Sequence, residues 1–308
     1  MRAFILIALL GLSVCFFEKQ ENELLVTEEK LSLTAQNASF ETYSYEEHPF
    51  KNWTVGEAKK LMGLRTFLPL DSELVLGDSS DLPEEFDATK QWPDCVHPIR
   101  NQGKCGSCWA FASSEVLSDR FCIASQGKIN VVLSPEDLVS CDYFDHGCNG
   151  GNPALSWVFL KYFGIVSDAC KPYTSGTGEV EKCNLFSHKC NGEGQVYKKY
   201  KAAKLPTIMA NQIDKIKRSL VEEGPVETGF MVYKDFMDYK SGVYRQTSKE
   251  LLGGHAVKIV GYGVENGVEY WKVANSWGPT WGENGFFRIK IGECKFESMA
   301  IASTPSLE

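Results

Sequence analysis

The sequence predicts an α+β fold of two facing lobes, and three observations carry that expectation. Helical patterning dominates from about 92 to 195, strand patterning dominates from about 196 to 300, and ten of the eleven cysteines fall between Cys95 and Cys294. Segregated helices and strands pack as distinct layers, and the seam between two such lobes is a favoured place for a ligand cleft. At 308 residues with 43 % hydrophobic content, the chain can bury a substantial core.

The first residues, MRAFILIALLGLSVCFF, join one early Arg to an apolar run of about 14 residues. That is the pattern of a secretory signal peptide, assigned to residues 1–17; an uncleaved anchor is the alternative, although a spanning helix needs about 20 apolar residues. Residues 18–80 carry no cysteine, are rich in Glu, Thr and Ser, and hold both Asn-X-Ser/Thr sequons, at Asn37 and Asn52. Within them, TVGEAKKLMG places Val55, Ala58, Leu61 and Met62 at helical spacing. The abrupt change of composition after residue 80 reads as a removable pro-segment followed by a mature domain, 81–308, with a small independent domain as the other reading. Export to an oxidising compartment predicts that most of the remaining cysteines pair.

Cys108 to Ala124 reads as a long helix with Ala110, Phe111, Ser114, Leu117, Ser118, Phe121 and Cys122 on one buried face. SPEDL supplies Ser134 as N-cap, Pro135 in the first turn and Asp137 to close a capping box. NPALSWVFLKYFG is a further helix that Gly164 ends. Asn211 is expected to cap the helix QIDKIKRSLVEEG, whose Ile213, Ile216, Leu220 and Val221 share a face and which Gly224 and Pro225 stop. The runs VETGFMVY, HAVKIVGYGV, EYWKVANSW and GFFRIKI then read as strands, with Glu-Asn-Gly turns at 265 and 283.

A formal charge of −8 leaves no basic stripe for nucleic acid, which is excluded as a partner. The pair in CGSC, Cys105 and Cys108, allows three chemistries. A redox couple lacks the expected strand–helix–strand setting. For zinc, the run CDYFDHGC at 141 could add ligands, but no second tight pair completes a set. The third reading makes Cys105 structural and Cys108 a reactive thiol at a helix start, with neither metal nor cofactor. Of the five histidines, 48, 97, 146 and 188 read individually as surface residues. His255 follows two glycines and precedes a strand, so it would sit on a rigid element that another segment can approach closely.

QGKCGSCWAF at 102, GCNGG at 147, GGHAVKIVGYG at 253 and YWKVANSWGPTWGENGFFRI at 270 resemble, in that order, the motifs of papain-like cysteine proteases. SDRFCI, GPVETGFMVYKDFMDYKSGVY and the short pro-segment resemble the cathepsin B-like branch, and the likeness runs from about Leu82 to the C-terminus. The resemblance implies a papain-like two-lobed fold, with a helical left lobe and a β-barrel-like right lobe, and a cysteine-type endopeptidase made as a secreted zymogen. It implies Cys108 as nucleophile, His255 as its base, Asn275 as the group that aims the imidazole and Trp277 as its shield. Gln102 and the backbone N–H of Cys108 would hold the oxyanion. It also implies the disulfides Cys95–Cys122, Cys105–Cys148, Cys141–Cys183 and Cys170–Cys190, with Cys108 and Cys294 free.

The thiolate is the attacking species. A thiolate pKa of about 3 to 4, against about 8.5 for free cysteine, asks for roughly 6 kcal/mol. A helix N-terminus supplies up to about 2 kcal/mol, so an imidazolium partner is required. Gly150 and Gly151 would pair with an extended substrate, and Asn152, Pro153, Gly229 and Met299 would line the pocket for the second residue before the cut bond. Two departures from cathepsin B stand out. The stretch CKPYTSGTGEVEKCNLFSHKC has no His-His pair, which predicts an open cleft and endopeptidase action. Met299 stands where cathepsin B has a glutamate, which predicts an apolar or aromatic preference. KKLMGLRTFLP would lie backwards across the cleft, with processing near 78 to 82. Expected partners are peptide and protein substrates, the chain's own pro-segment as inhibitor and cystatin-like inhibitors of a monomer, in a lysosome, a digestive vacuole or the extracellular medium. Two other functions compete: a secreted binding protein on a protease scaffold and a thiol oxidoreductase.

Overall fold

The computed structural model describes residues 21–65, 73–183, 187–192 and 194–308. The leader assigned to 1–17 lies outside them. In chain order the helices are α1 (Glu28–Asn37), α2 (Val55–Lys60), α3 (Ala88–Gln91), α4 (Cys108–Ala124), α5 (Pro135–Cys141), α6 (Pro153–Tyr162) and α7 (Ile213–Glu223). The strands are β1 (Glu41–Thr42), β2 (Phe86–Asp87), β3 (Thr207–Ile208), β4 (Val226–Tyr233), β5 (Tyr239–Ser241), β6 (Val243–Tyr244), β7 (Leu251–Glu265), β8 (Val268–Ala274), β9 (Phe286–Lys290) and β10 (Ile301–Ala302).

One sheet runs β3-β10-β4-β7-β8-β9-β6, with β2 added to β7, and every pairing but β6 with β9 is antiparallel. Among the described residues no ladder joins β3 to β6, so the path stays open at its ends. Asn266 and Gly267, and again Asn284 and Gly285, take positive φ, which is why Asn-Gly suits both tight turns. The helical lobe packs Trp109, Val116, Leu117, Trp157, Phe159 and Leu160 into a core of its own.

Helix α4 is the seam, and here the structure departs from the amphipathic reading: Cys108 to Cys122 are buried on every side. The face that reads as polar carries Glu115, Asp119 and Arg120, and each has a distant partner. Lys258 of β7 reaches Asp119 at 2.7 Å and Glu115 at 3.3 Å. Arg120 donates to the Pro225 carbonyl at 2.8 Å and to Glu223 at 2.8 Å. Buried charges persist only when paired in this way, so the helix is held to the β lobe by polar bonds as well as by packing.

Three local expectations change. Ser134 caps α5 by accepting from Asp137 N–H, but the Asp137 carboxylate turns instead to Val166 N–H, Lys171 and Lys199, so no capping box closes. The cap position of α7 is Gln212, with Asn211 one residue earlier at φ 57°. His48 is buried rather than at the surface: its Nδ1 accepts Phe50 N–H, and its Nε2 lies 3.2 Å from Asp238.

The amino-terminal segment is part of this packing. Thr54 and Glu57 form a reciprocal capping box on α2. β1 pairs with β5, and Leu25, Leu31, Phe40, Phe50, Val55 and Leu61 join the core of the β lobe.

Candidate active site

Cys108 opens α4, where Ser107 gives no side-chain cap, so the first N–H groups of the helix are not taken by that hydroxyl. Its thiol is buried against Ala256 of β7 and Leu64 of the amino-terminal segment. Burial pushes the thiol up to about 11, against the opposing pull of N–H groups at Ala256, Gly63 and Trp109.

His255 precedes Ala256 and is fully buried in β7, opposite Phe230 of β4. Its Nε2 lies 2.8 Å from Oδ1 of Asn275, just past β8 in the turn before Trp277. The Trp277 ring covers the imidazole at 4.8 Å between centroids, and Phe50 of the amino-terminal segment packs edge-on against Trp277 at 5.6 Å. The Nδ1 atom of His255 is buried without a hydrogen-bond partner. Burial lowers the imidazole to about 4, with Asn275 and the Leu61 carbonyl acting the other way. In this covered state both thiol and imidazole are therefore neutral.

Gln102 is fixed from both ends. Ser276 Oγ donates to its Oε1 at 2.7 Å, and its Nε2 donates to the Cys105 carbonyl at 2.8 Å and to the Leu61 carbonyl at 3.1 Å. The loop before Cys108 is tied down by the disulfide Cys105–Cys148. The remaining bridges are Cys95–Cys122, Cys141–Cys183 and Cys170–Cys190, while Cys108 and Cys294 carry free thiols.

Residues 61–65 leave the C-cap of α2 at Leu61 and cross the seam, with Leu64 in an isolated bridge. Gly151 N–H donates to the Gly63 carbonyl at 2.8 Å and Arg65 N–H to the Gly151 carbonyl at 2.7 Å, a parallel bridge. On the opposite wall Leu64 N–H donates to the Gly254 carbonyl at 3.0 Å. The Leu64 side chain fills a pocket whose floor is Gly229: a Cβ there would meet Leu64 Cδ2 at 2.5 Å and Met299 Sδ at 3.4 Å. A Cβ on Gly150 would meet the Gly63 carbonyl at 2.7 Å, so close backbone approach requires glycine there. Asn152 and Pro153 start α6, with Asn152 Oδ1 accepting Ala154 N–H, and among the described residues no hydrogen bond joins them to segment 61–65. The structure thus gathers Gln102, Cys108, His255, Asn275 and Trp277 on one side of that segment and Gly151, Gly229 and Met299 around it. Sequence reasoning missed Ser276 as the anchor of Gln102 and Gly254 as the second backbone wall. Both sit inside quoted motifs, ANSW and GGHA, but only the fold gives them partners.

A buried thiol at a helix start, an imidazole held by a carboxamide and a second carboxamide aimed at a carbonyl, set between a helical and a β lobe, define a cysteine protease. The family model described as "Papain family cysteine protease" matches residues 82–304, and the chain belongs to that family. Within it, the chain is cathepsin B-like. It is 39% identical to "Cathepsin B-like cysteine proteinase 5" of Caenorhabditis elegans over 300 residues, covering 83% of this chain and 87% of the relative. It is 41% identical to "Cathepsin B-like cysteine proteinase 6" of the same organism over 256 residues, covering 74% and 68%. Among solved structures, "proCathepsin B S9 from Trypanosoma congolense" superposes with a TM-score of 0.81 at 32% identity, covering 92% of this chain and 99% of that one. Digestive procathepsin L2 proteinase from Tenebrio molitor larval midgut gives a TM-score of 0.69 at 26% identity, covering 90% and 88%.

Proposed function

We propose that this cathepsin B-like protease is a secreted zymogen of an endopeptidase, with residues 18–80 as inhibitory pro-segment and 81–308 as the mature enzyme. The observation that carries the reading is the Leu61 carbonyl, which accepts from Gln102 Nε2 at 3.1 Å while Leu64 fills the Gly229–Met299 pocket. A backbone carbonyl on that amide occupies the place of a substrate oxygen, yet the segment runs parallel to Gly151.

Once the segment leaves, water reaches the pair, and the proton of Cys108 passes to Nδ1 of His255. The imidazolium then offsets the thiolate. Cys108 Sγ attacks the scissile carbonyl, Gln102 Nε2 and the Cys108 N–H hold the oxyanion, and His255 returns its proton to the leaving amine. Water that His255 deprotonates then cleaves the thioester. The absence of a His-His pair in 170–190 supports endopeptidase action, and the apolar Leu64–Met299 contact supports an apolar preference two residues before the cut. An acidic vacuole or the extracellular medium suits such a precursor.

Acid treatment of the purified full chain tests this directly, assayed with and without Cys108→Ala. Turnover of a Phe-Arg fluorogenic amide, abolished by that substitution and by stoichiometric epoxide labelling of Cys108, is expected. Efficient release of C-terminal dipeptides instead would overturn the endopeptidase reading. Insulin reduction without peptide cleavage would favour thiol exchange.

A further inference from the structure

Behind the cleft wall that meets segment 61–65 lies a group of carboxyls with no assigned role. Asp142 and Asp145 stand in the loop between α5 and Gly150, hydrogen-bonded to each other. Asp142 Oδ1 accepts Phe144 N–H at 3.0 Å, and Asp145 Oδ1 accepts Asn152 N–H at 2.7 Å. The second oxygen of each is buried and meets no N–H or hydroxyl donor. A Cβ on Gly151 would lie 2.8 Å from Asp145 Cγ and 2.5 Å from the Trp109 ring, so this carboxyl and the indole next to Cys108 back the Gly151 peptide directly.

Among the described residues no ion pair joins a cation to Asp142 or Asp145. Glu227 of β4 is a third buried carboxyl, bonded to Ser113 and to the Trp157 N–H, and burial together with the field of Asp145 opposes its ionisation. His146 in the same loop is exposed. Arg65 of the amino-terminal segment gives its Nε to the Asn149 carbonyl. Two touching carboxylates without a cation cannot both ionise. Burial first, and for Asp142 then the field of Asp145, keep a proton on the pair well above the ordinary carboxylate range. A shared O–H···O⁻ bond is short and strong.

We infer that Asp145, clipped to Asp142, is a positioning residue for substrate: the carboxyl pair fixes the Gly151 peptide against which the substrate backbone pairs. This rests on the reading of Gly151 as a substrate-binding strand. The clip is closed while the pair holds its proton and opens as rising pH removes it. KM therefore climbs toward neutral and alkaline pH, whereas kcat, set at Cys108 and His255, does not follow that titration.

The experiment measures KM and kcat of the acid-activated enzyme for a Phe-Arg fluorogenic amide from about pH 5 to about pH 8, against Asp142→Asn, whose amide donates to Asp145 without titrating. Expected is a wild-type KM rise of about fivefold or more, flattened to less than about twofold in D142N, with the ratio of the two kcat values constant across pH. Asp142→Leu, which cannot donate, raises KM at every pH. Infrared difference spectra of the unprocessed chains at neutral pH give a readout independent of turnover: a protonated-carboxyl band lost in D142N and retained in Glu227→Gln. Superimposable KM profiles of wild type and D142N, or an unchanged band in D142N, would overturn the inference. An enzyme without turnover whose band is still lost in D142N would refute the peptidase reading while supporting the clip.

Discussion

Oδ1 of Asn275 lies 2.8 Å from His255 Nε2 and also accepts the Ser276 N–H at 2.8 Å. The second bond identifies this atom as the oxygen, because a backbone N–H cannot donate to an NH₂ group. An oxygen can only accept, so Nε2 carries the hydrogen and Nδ1 is bare in the neutral ring, the atom that in the proposed mechanism takes the proton of the thiol. The tautomer that the proposed mechanism uses is thus set by a turn that follows β8.

Asn275→Ala frees the ring to rotate and to take the other tautomer. Loss of one hydrogen bond to a buried group that becomes charged costs about 1 to 3 kcal/mol, so kcat/KM should fall about tenfold to hundredfold. Rates of Cys108 alkylation at mildly acidic pH should fall in parallel, since the imidazolium that supports the thiolate is weakened. Equal alkylation rates in variant and wild type would rule out the orienting role.

Gln102→Ala removes a donor that Ser276 has aimed in advance. Removal of one oxyanion donor lowers kcat by about 10²- to 10³-fold. KM should move little, and stoichiometric epoxide labelling of Cys108 should persist, because the thiolate is supported elsewhere. A variant that loses labelling along with turnover would indicate a collapsed site instead.

Much of this site is legible in the sequence, for identifiable reasons. CGSCWAF starts a helix at a cysteine, and GGH and ANSW place small residues where segments must approach closely. The rest depends on partners far along the chain. The sequence gives no sign that Glu115, Asp119 and Arg120 are buried, because Lys258 and the Pro225 carbonyl, which satisfy them, lie more than a hundred residues away. His48 reads as a surface residue because its partner Asp238 comes from the other end of the fold. Eight paired cysteines allow 105 connectivities, so the bridges follow from family resemblance rather than spacing.

On the proposed reading, the pocket that Leu64 fills is the one that selects substrate. A methyl at Gly229 would clash with whatever fills it, since a Cβ meets Leu64 Cδ2 at 2.5 Å. Gly229→Ala should raise KM for Phe-Arg substrates by about tenfold or more, the loss expected from incompletely burying one large apolar side chain. Met299→Glu should shift preference toward Arg-Arg over Phe-Arg by placing a carboxylate beside the pocket. An unchanged Phe-Arg to Arg-Arg ratio in M299E would move the specificity determinant elsewhere.

The covered thiol, pushed up to about 11, should react with iodoacetamide slowly in the full chain at neutral pH and faster as pH rises through that value. After removal of the amino-terminal segment the rate should already be high at about pH 5, because the paired thiolate ionises at about 3 to 4 in such enzymes. Identical pH–rate curves before and after processing would contradict a cover that suppresses the ion pair.

Acid release of the segment cannot come from Cys108 and His255, because thiol plus neutral imidazole holds as many protons as thiolate plus imidazolium. Carboxylates of the segment that bond across to the mature domain lose those partners on opening. Glu41 is held below its ordinary 4.5 first by Ser241 and then by Lys240, and Glu57 first by Lys104 and then by the Thr54 N–H. A carboxyl whose bound-state pKa is depressed contributes attraction that is fully present above its free value and lost as pH falls through the bound value. Closure should therefore hold above about pH 5 and weaken through about pH 4 and below. Both glutamates lie near the surface, so the dependence should also shrink at high salt. Binding of a separate peptide spanning 18–80 to the mature enzyme, followed by inhibition across pH, checks this. Replacing Glu41 and Glu57 together by Gln should weaken inhibition at neutral pH and flatten its acid dependence; a double variant that keeps the wild-type pH profile would place the acid trigger on other groups.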